Sequence, residues 1–142
     1  MKRFEFLEHV SDAYIAAYGK TLEEAFQNAA EAMFQTMIKT NAVAPTSEEV
    51  VTVEGHDKEE LLYNWLETLL LKFEIKGNVY RKFEIERIKQ RDGGFSLKAT
   101  IRGERYNADK HKPKVEIKAV TYHRMEIKQE KRGYTLKFIL DL

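Results

Sequence analysis

At 142 residues the chain is long enough for one domain with its own core and too short for two. Its 24 basic and 23 acidic side chains nearly cancel, so no global field draws it to nucleic acid or an anionic membrane, and any RNA contact has to come from a local patch. The absence of cysteine excludes disulfides, thiolate metal sites and cysteine nucleophiles.

The first residues, Met1 to Glu8, alternate apolar with acidic side chains and lack the continuous apolar core of a signal peptide. Nowhere is there a run of about 18 apolar residues that could cross a bilayer. A soluble, cytoplasmic protein of one domain, residues 1–142, is therefore expected. Two strands are expected before the first helix. That helix is announced by Leu22, Ala25, Phe26, Ala29, Ala30, Met33, Phe34, Met37 and Ile38, which keep an i, i+3, i+4 rhythm for four turns behind a Thr21–Glu24 capping box. A short Pro-containing connection, 42–47, leads into a strand at Val50–Glu54.

The second helix carries Leu61, Leu62, Trp65, Leu66, Leu69, Leu70 and Phe73 on its stripe, with Asp57 as N-cap, Glu60 in the third helical position and Gly77 as the stop. Beyond it the period changes to two. Val79 to Arg91, the turn Asp92-Gly93-Gly94 and the alternating Phe95, Leu97, Ala99 and Ile101 predict a hairpin. Gly103 to Pro113 reads as one long polar loop, of a length that is more often functional than accidental. Val115, Ile117, Ala119 and Thr121 predict a further strand, and Lys131-Arg132-Gly133 turns the chain into a last strand with Tyr134, Leu136, Phe138 and Leu140 on one face. The expected fold class is α+β, a mostly antiparallel sheet with two amphipathic helices packed on one face. No internal repeat is visible.

Chemically, the absences come first. There is no Gly-rich phosphate loop at either helix, no His-Glu-x-x-His and no nucleophile elbow, and the four histidines lack the close spacing of a zinc pair. No self-contained catalytic set is predicted. The positive signal is acidic: Asp141 and the terminal carboxylate of Leu142 lie side by side, and Asp12 follows His9-Val10-Ser11 near the other end. Oxygen-only ligands suit calcium or magnesium, and about three charged ligands leave the rest of a shell to carbonyls, water or a partner. The competing reading makes Asp12 a turn residue and Asp141 part of a loose end. Lys118, Thr121 and His123 form a second group, for which edge-strand solvation and a satisfied imidazole are the alternatives. Arg105, Lys110, His111 and Lys112 form a basic cluster whose default is solvation and whose other reading is an RNA-phosphate or acidic-partner contact. Tyr14, Tyr18, Tyr106 and Tyr122 read mainly as packing, since no aromatic RNA-binding strand motif is present.

His-Val-Ser-Asp at 9–12, Ala-Tyr-Gly at 17–19, Thr-Leu-Glu-Glu-Ala-Phe at 21–26, Glu-Leu-Leu at 60–62 with Trp65-Leu66, Gly103-Glu104, His111, the run 116–123 and Asp141-Leu142 together resemble the archease family, in that family's order and spacing. Val10-Ser11 departs from the Thr-Ala more usual there, which removes a hydroxyl at position 10 and leaves Asp12 in place. The resemblance implies a small protein that is not itself an enzyme and acts as a cofactor of the RtcB-type RNA ligase of transfer-RNA splicing, promoting its guanylylation and multiple turnover. It also implies, as an alternative, a chaperone of a transfer-RNA cytosine methyltransferase. By the same resemblance Asp12, Asp141 and Leu142 would hold Ca2+, with Mg2+ or Mn2+ less favoured, and His9, Lys118, Thr121 and His123 would face the partner. Neither direct RNA binding nor a membrane is implied.

Overall fold

In the computed structural model, which describes residues 2–7 and 12–142, both expected helices begin at their expected caps. Helix α1 spans Leu22–Met37 and helix α2 spans Lys58–Lys76. Thr21 Oγ1 accepts the Glu24 N–H at 3.1 Å and Asp57 Oδ1 accepts the Glu60 N–H at 2.7 Å. In both, the glutamate reaches back to the backbone N–H of the residue before the cap, Lys20 or His56. Gly77 closes α2 in a left-handed conformation that a side chain would strain, and its N–H returns to the Lys72 and Phe73 carbonyls.

The strands, all antiparallel, divide into two sheets where the sequence suggests one. In the first, β1 (Phe4–Leu7) pairs β2 (Asp12–Gly19), β2 pairs β8 (Gly133–Asp141), and the far edge of β8 is shared by β6 (Ala119–Val120) and β7 (Glu126–Glu130). In the second, β5 (Gly94–Arg105) lies between β3 (Ser47–Gly55) and β4 (Asn78–Arg91). Helix α1 packs against β2 and β8 of one sheet and β4 of the other. It therefore buries far more than one stripe, including Asn28 and Ala32, whereas α2 buries only its Leu/Trp face. The core between the layers holds Phe26, Phe34, Trp65, Tyr80, Phe83 and Phe138. Phe34 meets the Tyr80 ring edge-on at 5.8 Å and the Phe83 ring nearly parallel at 5.7 Å.

A duplication invisible in the sequence emerges here. Strand β2 enters α1 through Gly19-Lys20-Thr21, and β3 enters α2 through Gly55-His56-Asp57. Each strand is backed by a hairpin whose glycine presses on that entry: a Cβ on Gly133 would stand 2.1 Å from the Gly19 carbonyl oxygen, and one on Gly94 would stand 2.3 Å from that of Gly55. Only a residue without a side chain fits at 133 or 94. The two units share glycines, caps and the boxed glutamates, too few positions to register as a repeat in one sequence.

The free edge of β4 is guarded from α1, where Gln27 Oε1 accepts the Ile85 N–H and Glu23 Oε2 accepts the Ile88 N–H, each at 2.8 Å. Register shifts at Tyr80/Lys82 and Ile85/Arg87 turn this edge further from pairing with another chain. On the same strand the buried Tyr80 donates its hydroxyl to Glu49 at 3.0 Å, and Glu49 also pairs with Lys72. Burial first and then the Glu49 carboxylate push the Tyr80 hydroxyl up to about 12. A folded-state value above the unfolded one means that the unfolded chain loses this proton first as pH rises. Stability is therefore expected to be intact below about pH 10 and to fall by about 2 kcal/mol towards pH 12. Urea denaturation at stepped alkaline pH measures this, and Tyr80→Phe should flatten the slope.

The strand expected over 115–121 is reduced to Ala119–Val120. Residues before it are engaged elsewhere. The Lys114 N–H donates to the Met37 carbonyl at 2.8 Å and its ammonium to the Gln35 carbonyl at 3.0 Å, using acceptors that the end of α1 leaves open. The long polar loop is likewise shorter than expected, because β5 runs on to Arg105 and Ala108–His111 form a helical turn, α3, capped by the Asn107 side chain.

Candidate functional site

Residues from the two ends of the chain meet in the middle of a sheet. In the β2–β8 ladder Asp12 stands directly opposite Asp141, and Asp141 is in turn opposite Ala119 of β6. Directly opposed residues of antiparallel strands project their side chains to the same face, so Asp12, Asp141 and Ala119 share one. Asp141 thus lies in a strand paired on both sides, and Leu142 packs its side chain against the core. The loose-end reading of Asp141 is overturned by these pairings. Asp12 opens β2 as its first residue and is no turn residue. The predicted His9 lies outside the described residues.

Two carboxylates directly across a ladder repel each other, and a cation nearby would lower that cost. Asp141 is exposed and Asp12 half-buried, leaving the pair accessible to an ion from solvent. The donor set is all oxygen, which fits a hard divalent cation such as calcium. Among the described residues no group of three or more His, Cys, Asp or Glu side chains gathers to hold a metal. The two aspartates by themselves therefore offer half of a hard-cation shell at most.

Beside this pair runs an arm, residues 118–125. The Lys118 N–H donates to the Asp141 carbonyl at 2.7 Å, which carries the exposed Lys118 to the rim of the acidic face. Thr121 turns its hydroxyl back to the Ile139 carbonyl at 3.1 Å, the acceptor that its own N–H also approaches. Alternation predicts one face for Thr121 and His123, but the strand has ended by then. The exposed His123 sits in a turn closed by the Met125 N–H on the Tyr122 carbonyl. The same turn carries Arg124 with positive φ, its guanidinium 5.5 Å from the centre of the Tyr14 ring. Tyr14 is two residues along β2 from Asp12 and so on the acidic face.

His111 is the main correction. Expected in a solvated basic cluster, it is completely buried, and its ring is fully used. The Asn107 N–H donates to Nδ1 at 2.9 Å, which leaves Nε2 as the protonated nitrogen facing Glu104 Oε2 at 2.7 Å. Glu104 also takes Lys110 at 2.8 Å and the Ala44 N–H at 2.9 Å. The Lys110 ammonium, the Ala44 amide and the imidazole, in that order, lower the Glu104 carboxyl to about 2. With the Lys39 N–H donating to the His111 carbonyl, this knot fastens the segment that leads to the arm to the connection after α1. Of the four cluster residues His111 is thus internal, and the exposed Lys110 is paired with Glu104. Asn107 three residues before Lys110 is a helix-start signal that could have revealed the turn holding His111.

A second pair overlooked in the sequence is Tyr63 of α2 with Tyr122 of the arm, whose rings stack at 4.3 Å and 7°. Tyr18 donates to Glu5 at 2.9 Å and Tyr106 packs between Phe73 and His111, in keeping with packing roles for both.

Known proteins are similar to this chain over nearly all of its length. Residues 4–142 match the archease protein family (MTH1598/TM1083). Protein archease of Methanosarcina mazei is 40% identical over 141 residues, covering 99% of this chain and 97% of that protein. Protein archease of Pyrococcus abyssi is 46% identical over 129 residues, covering 91% and 90%. The solution structure of Methanobacterium thermoautotrophicum protein 1598 superposes with a TM-score of 0.84 at 38% identity, each chain covered completely. A crystal structure from Thermotoga maritima, described as an archease and possible chaperone, has the same fold at a TM-score of 0.64 and 22% identity over 97% of this chain and 96% of that one. With a shared fold, shared length and this identity throughout, the chain belongs to the archease family.

Proposed function

We propose that this protein is a non-catalytic, cytoplasmic cofactor of an RtcB-type transfer-RNA-splicing ligase, promoting its guanylylation and multiple turnover. In this reading Asp12, Asp141 and the terminal carboxylate of Leu142 hold Ca2+, and His9, Lys118, Thr121 and His123 face the ligase. The observation that carries it is the direct opposition of Asp12 and Asp141 beside the arm 118–125. Calcium there would supply positive charge that reconciles three carboxylates at two strand ends and offers open coordination to a partner's oxygens. The protein's own residues hold the surface rigid: the Lys118 amide ties the arm to Asp141, and Thr121 ties it to Ile139. Activation requires that this surface bind the guanylylation-competent ligase more tightly than the idle one, since equal affinity would shift nothing.

Mixing equimolar protein with the ligase and GTP is expected to speed formation of the ligase–nucleotide adduct. Asp12→Ala and Asp141→Asn should remove most of that acceleration and weaken calcium binding on the order of tenfold or more by calorimetry. A C-terminal tag that converts the Leu142 carboxylate into an amide should do the same. An unchanged adduct rate with the wild-type protein would dismiss the activator reading, and equal calcium affinity in the tagged form would dismiss the terminal carboxylate as ligand. The second reading, a chaperone of a transfer-RNA methyltransferase, draws on the possible-chaperone description of the Thermotoga maritima relative. It predicts less light scattering from the heated methyltransferase when this protein is present.

A further inference from the structure

Next to the acidic face, on the other side of the arm, lies a surface that the ligase reading does not assign. Consecutive residues of the arm divide there: Thr121 turns back to Ile139, and Tyr122 stacks on Tyr63 of α2. Tyr63 covers one face of the Tyr122 ring, yet Tyr122 remains 51% exposed, so its other face looks to solvent. A large aromatic ring held flat by a parallel partner, on a turn closed by its own carbonyl, has little freedom left to lose on binding.

The surroundings of this ring are acidic. Glu60, Tyr63 and Glu67 follow one another at helical spacings of three and four, so the two carboxylates flank Tyr63 one turn to either side. Burial and then the Glu67 carboxylate raise the Tyr63 hydroxyl. Burial and then Glu60 do so for Tyr122, with Tyr63, Asp57 and Glu67 adding to it. Asp57 is committed to the α2 cap and one Glu60 oxygen to the His56 N–H, while the Glu67 carboxylate takes the Tyr63 hydroxyl.

An aromatic face inside a rim of carboxylates suits a flat cation. A guanidinium stacks on tyrosine while its edge N–H groups reach carboxylates, which an ammonium does less well because it is compact and strongly hydrated. A guanidinium already lies over a tyrosine a few residues away, where Arg124 sits 5.5 Å from the centre of the Tyr14 ring. A nucleic acid fits poorly, since its phosphates would face Glu60, Glu67 and Asp57. We propose that the Tyr63–Tyr122 platform, with Glu60 and Glu67, is a docking surface for an arginine-bearing segment of a partner protein. If the partner is the ligase of the preceding reading, this surface gives affinity while the carboxylate face beside it acts on the ligase's state.

The test has two arms that fail separately. In the first, a tri-arginine peptide is titrated into the whole protein and the ring signals of Tyr63 and Tyr122 are followed by NMR, with tri-lysine as control. Saturable ring shifts, stronger for arginine and lost in Glu60→Gln/Glu67→Gln, are expected; absent shifts, or equal shifts for the two peptides, overturn the proposal whatever the ligase does. In the second, affinity for the purified ligase is measured for wild type, Tyr122→Ala and Glu67→Lys, with calcium binding and circular dichroism confirming intact variants. Each variant should weaken binding roughly 30-fold, as hot-spot residues do. Wild-type binding that neither variant changes overturns the proposal and leaves the activator reading standing. A wild-type protein that responds to tri-arginine and ignores the ligase overturns the reading and keeps the surface. Transfer-RNA binding that Tyr122→Ala abolishes and Glu67→Lys strengthens would assign the rings to base stacking and overturn the proposal.

Discussion

Trp65→Ala is expected to destabilise the protein by about 4 kcal/mol, the range for removing a large buried aromatic side chain. Trp65 is completely buried in α2, with its ring edge-on to Phe83 of β4 at 6.3 Å. Its indole N–H donates to the Phe26 carbonyl of α1 at 3.0 Å. One side chain thus joins both helices to the second sheet. Trp65→Phe retains most of the contact and loses the hydrogen bond, for an expected cost of about 1–2 kcal/mol. Because Trp65 is the single tryptophan, denaturation has to be followed by far-ultraviolet circular dichroism. A loss below about 1 kcal/mol for the alanine variant would contradict the packing described.

His111→Ala is expected to cost about 2–4 kcal/mol, because it opens a buried hole and strips partners from the Asn107 amide and the Glu104 carboxylate together. Its functional consequence should exceed its thermodynamic one. The knot holds the start of the segment that ends in Lys118 and the β6 pairing with Asp141, so hydrogen exchange should quicken along 107–120 before it quickens in α1. Glu104 adds a pH signature. Its folded carboxyl lies at about 2, below the ordinary value of 4.5, so the unfolded chain binds the proton more tightly. The contribution is complete above the unfolded value and is lost as pH falls towards about 2. Glu104→Gln should abolish this part of the acid limb of the stability curve. An acid limb identical to wild type would show that the carboxylate makes no such contribution.

Local signals carried a large part of the fold. The caps at Thr21 and Asp57, the stop at Gly77 and the hairpin turn at Asp92-Gly93-Gly94 all lie where the sequence places them, because each depends on hydrogen bonds between residues a few positions apart. The third expected strand shrank to Ala119–Val120: Ile117 is buried as its alternating pattern predicts, while the Lys114 N–H just before it goes to the end of α1 and the Lys118 and Thr121 N–H groups go to the Asp141 and Ile139 carbonyls of β8. A pattern of apolar side chains reports which groups are buried and says little about where backbone groups find partners.

The sequence by itself determined the two helices, the hairpins, the α+β class and the family, and it singled out Asp12 and Asp141 as the acidic residues to watch. Only the tertiary structure decided that β2 and β8 pair in the register that sets those two opposite each other. It likewise decided that the strands form two sheets, that His111 is buried against Glu104, and that Tyr63 and Tyr122 stack. The division has a physical cause. Helix ends and tight turns are settled by short-range contacts, whereas strand register and side-chain meetings between distant segments are settled by which global packing buries the most apolar surface.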